Sequence, residues 1–364
     1  MPPISNPSII FNELPKGEPT LETLKIDESA QIDLEEELKE NEIILKLVCV
    51  SLDPYMRGRM REEHIKSYSP AFPLNKPIGG HGVAKVIKSK SSRYEEGVHI
   101  YGVLPYTTYI RRMAPTEQED AQNAKFFGGP ALKILKNEEN LSWSTYIGAA
   151  GMPGKTAYMA WKEYSPVQGH IGQAKVAYIS AGSGPVGSLA IQMAKKDGYK
   201  VIASAGSDKK IQFCKDIGAD VVFNYKTDNP DEIFAKEAPE GIDVNWVNVG
   251  GKAFETELAH SASHGRVIVC GWISAYNGKS DGITNLFQIV AKRLHVNGFI
   301  VGDLEPKYGS EFYSTVPKAL ASGEVKFSEV KYDGLDKIPQ AFIDLLAGKQ
   351  GGGDGLGKVV IEIK

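Results

Sequence analysis

The sequence has few cysteines and no long apolar run, and each absence excludes a class of protein. Cys49, Cys214 and Cys270 are odd in number and far apart, so they predict neither a disulfide framework nor a four-thiolate zinc site. No apolar stretch approaches the roughly 18 residues that a membrane helix needs. The opening residues, MPPISNPSII, lack the basic and long apolar regions of a secretory signal. We therefore expect a cytoplasmic protein that does not span a membrane.

The charge balance also lacks an excess of either sign. The 364 residues carry 42 Lys and Arg against 45 Asp and Glu, a net charge of −3, and the basic residues are scattered. Bulk charge therefore does not support a nucleic-acid or anionic-membrane partner. The composition, 42% hydrophobic and 24% charged, is that of an ordinary folded protein. At roughly 150 residues per domain, the length predicts two domains.

Short apolar strands alternate with helical segments from about residue 175 onward. This alternation predicts a doubly wound parallel sheet in a domain over 141–319. The flanks, 1–140 and 320–364, show strand-like alternation, and the last run, GKVVIEIK, predicts that the C-terminus completes a β-rich domain. Six strands are predicted in the central domain, at 175–180, 199–204, 220–224, 243–249, 266–270 and 294–301, with a helix near 284–293 before the last of them.

A glycine motif follows the first of these strands. Gly182, Gly184 and Gly187 form GxGxxG between strand and helix, the context in which the motif binds a dinucleotide pyrophosphate at a helix N-terminus. The alternative is an ordinary strand-to-helix turn. The repeated strand–helix units that follow favour dinucleotide binding.

The end of the second strand distinguishes between NADH and NADPH. An NAD enzyme has an acidic residue there for the ribose hydroxyls, whereas this chain has a turn of small residues followed by two lysines. Ser207 and Lys210 offer a donor and a positive charge to a 2′-phosphate. The alternative is that Lys209 and Lys210 form a solvated helix face. Because the acid is absent, NADPH is favoured.

The cysteines and histidines do not have the spacing of a zinc site. Cys49 and His81 suggest a zinc pair, but Gly82 follows His81 where a Glu is needed, and no third ligand is placed to close the site. His260 and His264, four residues apart, are predicted to lie on one helix face but lack the Glu of a zinc-protease helix. The sequence therefore predicts a protein without a metal.

Several strings resemble one family in the right order. They are DPYMRGRM (53–60), GMPGKTAY (151–158), AGSDKK (205–210), FNYKT (223–227), NVGG (248–251), CGWISAYN (270–277) and GFIV (298–301). With them the chain resembles the zinc-independent medium-chain dehydrogenases/reductases, in the branch of NADP-dependent alkenal double-bond reductases and prostaglandin reductases. The resemblance implies a GroES-like β domain, a Rossmann domain and a homodimer. It also implies NADPH-dependent reduction of the C=C bond of α,β-unsaturated aldehydes and ketones.

The same resemblance implies roles for individual residues. Tyr55 and Arg57 would face the substrate, and Tyr55 and Tyr276 are the catalytic candidates, although a core aromatic is the alternative for Tyr55. Lys210 would bind the 2′-phosphate, and Tyr225 would flank that end of the cofactor. The pyrophosphate would lie against Gly184, Pro185, Val186 and Gly187, and the nicotinamide half against Asn248, Cys270, Gly271, Trp272, Ile273, Ser274, Ala275, Tyr276, Phe299, Ile300 and Val301.

Three departures from the family pattern leave questions open. Ala291 stands where relatives have a Tyr proposed to protonate the enolate, so the donor is Tyr55, Tyr276, a ribose hydroxyl or water. Gly355 replaces an Asn that contacts the cofactor, and 112–131 resembles an insertion, either a loop or a cap. The alternative functions are an NADPH:quinone reductase and a non-catalytic NADPH-binding protein. A zinc alcohol dehydrogenase is disfavoured because its ligands are absent.

Overall fold

The chain forms two compact units in the computed structural model, which describes residues 2–127, 129–166, 175–278 and 282–364. The first unit contains Met1–Gly151, Glu329–Gly353 and Lys358–Lys364. The second contains Met152–Ser328 and Asp354–Gly357. Among the residues in those ranges, no helix is long and apolar enough to cross a membrane. The domain limits near 140 and 320 stay predictions.

The strands are numbered along the chain. They are β1 (Ile4–Ser5), β2 (Ser8–Phe11), β3 (Leu24–Asp27), β4 (Gln31–Ile32), β5 (Glu42–Ser51), β6 (Gly79–Ser89), β7 (His99–Pro105), β8 (Tyr109–Met113), β9 (Leu132–Ile134), β10 (Val176–Ile179), β11 (Lys200–Ala205), β12 (Val221–Asn224), β13 (Ile242–Val247), β14 (Ser261–Val269), β15 (His295–Gly298), β16 (Glu329–Asp333) and β17 (Lys358–Glu362).

The helices are numbered in the same way. They are α1 (Met56–Arg59), α2 (Glu117–Phe127), α3 (Met152–Tyr164), α4 (Pro185–Lys196), α5 (Asp208–Asp216), α6 (Pro230–Glu237), α7 (Gly251–His260), α8 (Phe287–Ala291), α9 (Val301–Ala321) and α10 (Ile338–Leu346). Short 3-10 turns cover Trp143–Ile147, Ile273–Ala275, Leu335–Lys337 and Gln350–Gly353.

The second unit contains the predicted parallel sheet. Its six strands are ordered β12-β11-β10-β13-β14-β15 and pair in parallel throughout, which confirms the doubly wound fold class. Every residue of β10 and β13 is buried, as expected for strands covered on both faces. The strand order reverses between β10 and β13. Ligands of such sheets bind outside the carboxyl ends of the strands at this reversal.

The first unit is built on a seven-stranded sheet that needs the C-terminus. The order is β16-β17-β5-β6-β7-β9, with β8 also paired to β5. Strand β17 lies between its parallel neighbour β16 and its antiparallel neighbour β5. Its first four residues are buried, and the core beneath the sheet combines side chains from both ends of the chain. The predicted β-rich domain completed by the C-terminus is confirmed.

Two local expectations differ from the structure. His260 and His264 do not share a helix face: α7 ends at His260 because Ser261 is extended and begins β14, in which His264 has φ 65°. The segment 112–131 contains helix α2 rather than only a loop. Thr116 and Glu119 form a capping box before it, with main-chain N–H to side-chain distances of 2.7 and 3.2 Å.

Candidate functional site

The glycine loop is closed tightly against the sheet. A Cβ on Gly182 would lie 2.9 Å from Ile191 Cδ1, and one on Gly187 would lie 2.9 Å from Gly182 Cα. Gly184 is the N-cap of α4. Because larger residues do not fit at Gly182 and Gly187, the loop holds main chain close to the start of α4, where the free N–H groups of the first turn attract a phosphate.

A second group of residues lies at the start of α5. Ser207 is the N-cap residue, and its buried Oγ has no hydrogen-bond partner among the residues the structure describes. Lys210 is 8% exposed, whereas Lys209 beside it is exposed. Burial, and then the charge of Lys226, lower the pKa of Lys210. A buried cation beside an unsatisfied hydroxyl fits a phosphate group. The two lysines therefore differ, and only Lys209 belongs to a solvated face.

Tyr225 lies against the turn that precedes α5. A Cβ on Gly206 would come within 2.9 Å of the Tyr225 ring, so glycine lets the ring approach the main chain. The Tyr225 side chain is 60% exposed. Its position beside Gly206 places an aromatic face at the same end of the sheet as Ser207.

Asn248 is fixed at the point where the strand order reverses. It follows β13, and its Nδ2 donates to the Ser180 carbonyl oxygen at 2.6 Å. Its main-chain N–H donates to Ser180 Oγ at 2.9 Å, and its Oδ1 accepts from Trp246 Nε1 at 3.1 Å. Ser180 directly follows β10. These bonds therefore join the carboxyl ends of β10 and β13 next to the glycine loop.

The segment from Cys270 to Tyr276 returns over the same end of the sheet. The main-chain N–H of Cys270 donates to Val247 at 2.9 Å, and that of Ser274 donates to Val249 at 3.1 Å. A Cβ on Gly250, whose φ is 76°, would overlap the Trp272 ring. Burial raises the pKa of the Cys270 thiol to about 12, so this cysteine is not a thiolate at neutral pH.

The segment from Phe299 to Val301 follows β15. The Phe299 ring lies 6.4 Å from the Trp246 ring and 5.8 Å from the Tyr164 ring, measured between centroids. Ile300 is 39% exposed and is the N-cap of α9, which begins at Val301. Phe299 is thus brought beside Trp246, the residue that bonds to the Asn248 side chain.

The short glycine segment near the C-terminus also reaches the glycine loop. The N–H of Gly357 donates to the Ser183 carbonyl oxygen at 3.1 Å. Asp354 raises the pKa of Lys210, which opposes the effects of burial and of Lys226. Gly355 therefore lacks the family's side chain but belongs to a segment that the main chain still ties to the glycine loop.

The first unit places Tyr55 at the N-cap of α1, partly buried against the core. Burial and the charge of Asp53 raise the Tyr55 pKa, so the phenol stays protonated. Its ring contacts that of His81 at a centroid distance of 6.3 Å, and His81 Nδ1 lies 2.8 Å from the Tyr101 hydroxyl. Arg57 donates to the Gly17 carbonyl oxygen at 2.6 Å.

A buried ion pair sits directly before Tyr55. Lys358 Nζ lies 3.2 Å from Asp53 Oδ1, and both side chains are at most 4% exposed. Lys358 Nζ also donates to the carbonyl oxygens of Leu52 and Val359, and Ser51 Oγ donates to Asp53. This pair was not predicted from the sequence, although Asp53 stands in the DPYMRGRM string.

No group of three or more His, Cys, Asp or Glu that could hold a metal ion occurs within the described ranges. Cys49 is buried, which raises the pKa of its thiol to about 12. His81 is bonded to Tyr101. The absence of a metal stays a prediction.

Comparisons with known proteins define the family. Residues 185–320 match the zinc-binding dehydrogenase family model, and residues 8–118 match the N-terminal domain of oxidoreductase. The NADP-dependent oxidoreductase RED1 of Cochliobolus heterostrophus is 36% identical over 98% of this chain and 97% of its own. The NADP(+)-dependent 2-alkenal reductase of Nicotiana tabacum is 33% identical over 99% and 98%. CurA from Vibrio vulnificus in complex with NADPH is 30% identical, with a TM-score of 0.84 over 98% and 99%.

The chain belongs to the medium-chain dehydrogenase/reductase family, and the predicted resemblance is confirmed. It is an oxidoreductase of the group that contains NADP-dependent alkenal reductases. The predicted cofactor, NADP(H), is the one for which these relatives are named and which the CurA complex contains.

Proposed function

We propose that this protein reduces the C=C bond of α,β-unsaturated aldehydes and ketones with NADPH. The observation that carries the choice of cofactor is the buried Lys210 beside the unsatisfied Ser207 hydroxyl, where an NAD enzyme has an acid. The substrate class is supported by the full-length similarity to a 2-alkenal reductase. When bound, NADPH supplies a hydride to the β-carbon of the substrate.

The proposed cofactor contacts follow the carboxyl end of the parallel sheet. The glycine loop holds the pyrophosphate, Ser207 and Lys210 bind the 2′-phosphate, and Tyr225 flanks it. The nicotinamide half is bordered by Asn248 and by the two segments that return over this end of the sheet. The proposed contacts are Gly182, Gly184, Pro185, Val186, Gly187, Ser207, Lys210, Tyr225, Asn248, the segment Cys270 to Tyr276, and the segment Phe299 to Val301.

The carbonyl oxygen of the substrate gains negative charge during the reaction and needs a proton donor nearby. A neutral phenol can donate, and Tyr55 is kept neutral by burial. We propose Tyr55 and Tyr276 as the donor candidates and Arg57 as a substrate contact. Ala291, the last residue of α8, has no proton to give, so a cofactor ribose hydroxyl or water is the remaining source.

A panel of enals, enones and quinones tests the proposal. The oxidation of NADPH by each substrate is measured as the loss of NADPH absorbance. Enones are expected to turn over with NADPH far better than with NADH. Turnover of quinones alone would favour the quinone reductase, and NADPH binding without turnover would favour the non-catalytic protein. Loss of a true donor in Tyr55→Phe or Tyr276→Phe is expected to lower kcat by about 100-fold. Full kcat in both variants would leave a cofactor ribose hydroxyl or water as the proton source.

We also propose a homodimer formed through β15. This strand ends the parallel sheet, and β14 is its only partner among the described strands. Phe287 and Val290, in the helix α8 that precedes this strand, are 73% and 66% exposed. An unpaired edge with exposed apolar residues is a site for a second copy of the chain.

The three cysteines are free thiols, which supports our proposal that the protein is located in the reducing cytoplasm.

Light scattering after size exclusion tests the homodimer. The wild-type protein is expected to have the mass of two chains, and Val290→Asp is expected to have the mass of one, because a charge in an apolar interface is costly. Ile134→Asp, at an apolar residue of the first unit that is 42% exposed, is the control and is expected to leave the mass unchanged. A wild-type monomer would contradict the proposal.

A further inference from the structure

A buried ion pair joins α3 to the start of α9 within the second unit. Lys155 Nζ lies 2.8 Å from Glu305 Oε2, and each of the two side chains is 9% exposed. The ring centroid of Tyr313 is 5.9 Å from Lys155 Nζ, within the range of a cation–π contact. Another pair between the same helices, Lys307 with Glu163 at 2.6 Å, is far more exposed, because the lysine side chain is 62% accessible. The proposed chemistry uses neither pair, although burying two charges is costly.

The first turn of α9 depends on Glu305 because a proline follows it. Pro306 lies inside α9 and has no N–H, so the carbonyl oxygen of Gly302 cannot accept the usual helical bond from residue 306. Gly309 leaves room for the acid, since a Cβ there would lie 3.1 Å from Glu305 Oε1. Glycine is unfavourable inside a helix, so this position gives up helix stability to accommodate the carboxylate. The first turn is thus weakened within its own helix and tied to α3 through Glu305.

The segment that follows β15 is continuous with this turn. Helix α9 begins at Val301, and Glu305 lies four residues further on, about one helical turn. The Phe299 ring lies 5.8 Å from that of Tyr164, the last residue of α3. Most residues of α3 are buried, which makes this helix a firm support. A shift of the first turn of α9 against α3 would therefore move Phe299 as well.

We propose that Lys155 and Glu305 are positioning residues, whose ion pair fixes the start of α9 against α3 and so places the segment Phe299 to Val301 for the nicotinamide half of the cofactor. The inference rests on the proposed function, in which this segment borders the nicotinamide. A buried ion pair is often no more stabilising than apolar residues of similar volume, but it has one preferred geometry. The rate of a reaction between two bound molecules depends on their placement, and an error of about 1 Å can cost about 100-fold. The pair is therefore expected to affect kcat rather than stability.

Replacing both charges separates positioning from stability. The double variant Lys155→Met/Glu305→Met nearly keeps the volume and is expected to have at least the wild-type Tm, because the cost of burying two charges is gone. Its kcat is expected to fall about 10-fold with NADPH and with NADH alike. Its KM for NADPH is expected to stay within about twofold of wild type, because Ser207 and Lys210 are untouched. Lys307→Met, in the exposed pair of the same helices, is the matched control and is expected to leave kcat and KM unchanged.

A milder variant covers the case in which the double variant does not fold. Glu305→Gln keeps the shape of the side chain and an acceptor for Lys155 but removes the charge, so its kcat is expected to fall only about threefold. Wild-type kcat in Glu305→Gln, with an unfolded double variant, would show that the pair only stabilises the unit and would overturn the inference.

Hydrogen exchange of the cofactor-free protein gives a readout that does not depend on NADPH. The amides of residues 299–304 are expected to exchange about threefold to tenfold faster in the double variant than in wild type, and at the wild-type rate in Lys307→Met. Unchanged exchange or an unchanged kcat in the double variant would overturn the inference and leave the proposed function intact. Faster exchange throughout the second unit, together with a lower Tm, would overturn it too. A wild-type protein that does not oxidise NADPH would contradict the proposed function, and exchange would still decide whether the pair fixes the start of α9.

Discussion

Lys210→Ala is expected to raise the KM for NADPH about 10-fold to 100-fold, which corresponds to a charged hydrogen bond of about 1.5–3 kcal/mol. The KM for NADH is expected to stay within about twofold of wild type, because NADH has no 2′-phosphate. Lys210 is 8% exposed at the start of α5, beside the unsatisfied Ser207 hydroxyl. Its charge is therefore only weakly screened by water. Steady-state kinetics with both cofactors measure the change in preference.

Lys209→Ala is the matched control for this prediction. Lys209 is the neighbouring residue in α5 and is exposed, so its loss is expected to change the KM for either cofactor by less than about twofold. A similar loss for NADPH and NADH in Lys210→Ala would show that the lysine supports the helix rather than the 2′-phosphate. Equal effects of the two lysine variants would place the phosphate elsewhere.

Lys358→Met is expected to destabilise the first unit by about 3–5 kcal/mol, because it leaves the buried Asp53 carboxylate without its cation. Lys358 Nζ is 3.2 Å from Asp53 Oδ1, and both residues are 2% exposed. Burial lowers the pKa of Lys358, and the charge of Asp53 opposes that shift. Urea unfolding of the first unit, monitored by hydrogen exchange of the β5 and β17 amides, measures the loss in the free energy of unfolding.

Lys364→Met serves as a control of the same type at the end of the chain. Lys364 pairs with Asp333 at 2.8 Å, but its side chain is 80% exposed and the pair is screened by water, so its loss is expected to leave the urea midpoint unchanged. Adding Asp53→Asn to Lys358→Met is expected to recover part of the stability, because it removes the orphaned charge. Equal losses in the two lysine variants would contradict a stabilising role for the buried pair.

The parallel sheet is predictable because its signal is local. Strand β10, VAYI, is a continuous apolar run buried on both faces, β13, IDVNWV, is apolar at four of its six positions, and each is followed by a helical segment. The capping box of Thr116 and Glu119 is an equally local signal, from which the start of α2 could have been predicted. The end of α7 was not predictable in this way, because parallel pairing of Ser261 with Ile242 overrides the helical spacing of the two histidines.

The candidate site is only partly predictable, because some of its contacts join residues that are far apart in the sequence. The glycine loop and the turn before α5 are short motifs, and the structure places both at the carboxyl end of the sheet. The pairing of Asp53 with Lys358 joins residues from opposite ends of the chain, so no spacing rule finds it.

The position of β17 has a consequence for how the protein is made. All six parallel strands have been synthesised once Gly298 has left the ribosome, so the second unit can form its sheet early. Strand β5 is synthesised early, but its Cys49–Ser51 end pairs with β17, the last of the described strands, which is synthesised more than 300 residues later. Until then, β8 can cover Glu42–Lys46 of β5, but the Cys49–Ser51 end of this buried strand lacks a partner on the same edge, which is the kind of surface that chaperones shield. Premature termination shortly before β17 therefore leaves a folded second unit attached to an aggregation-prone first one.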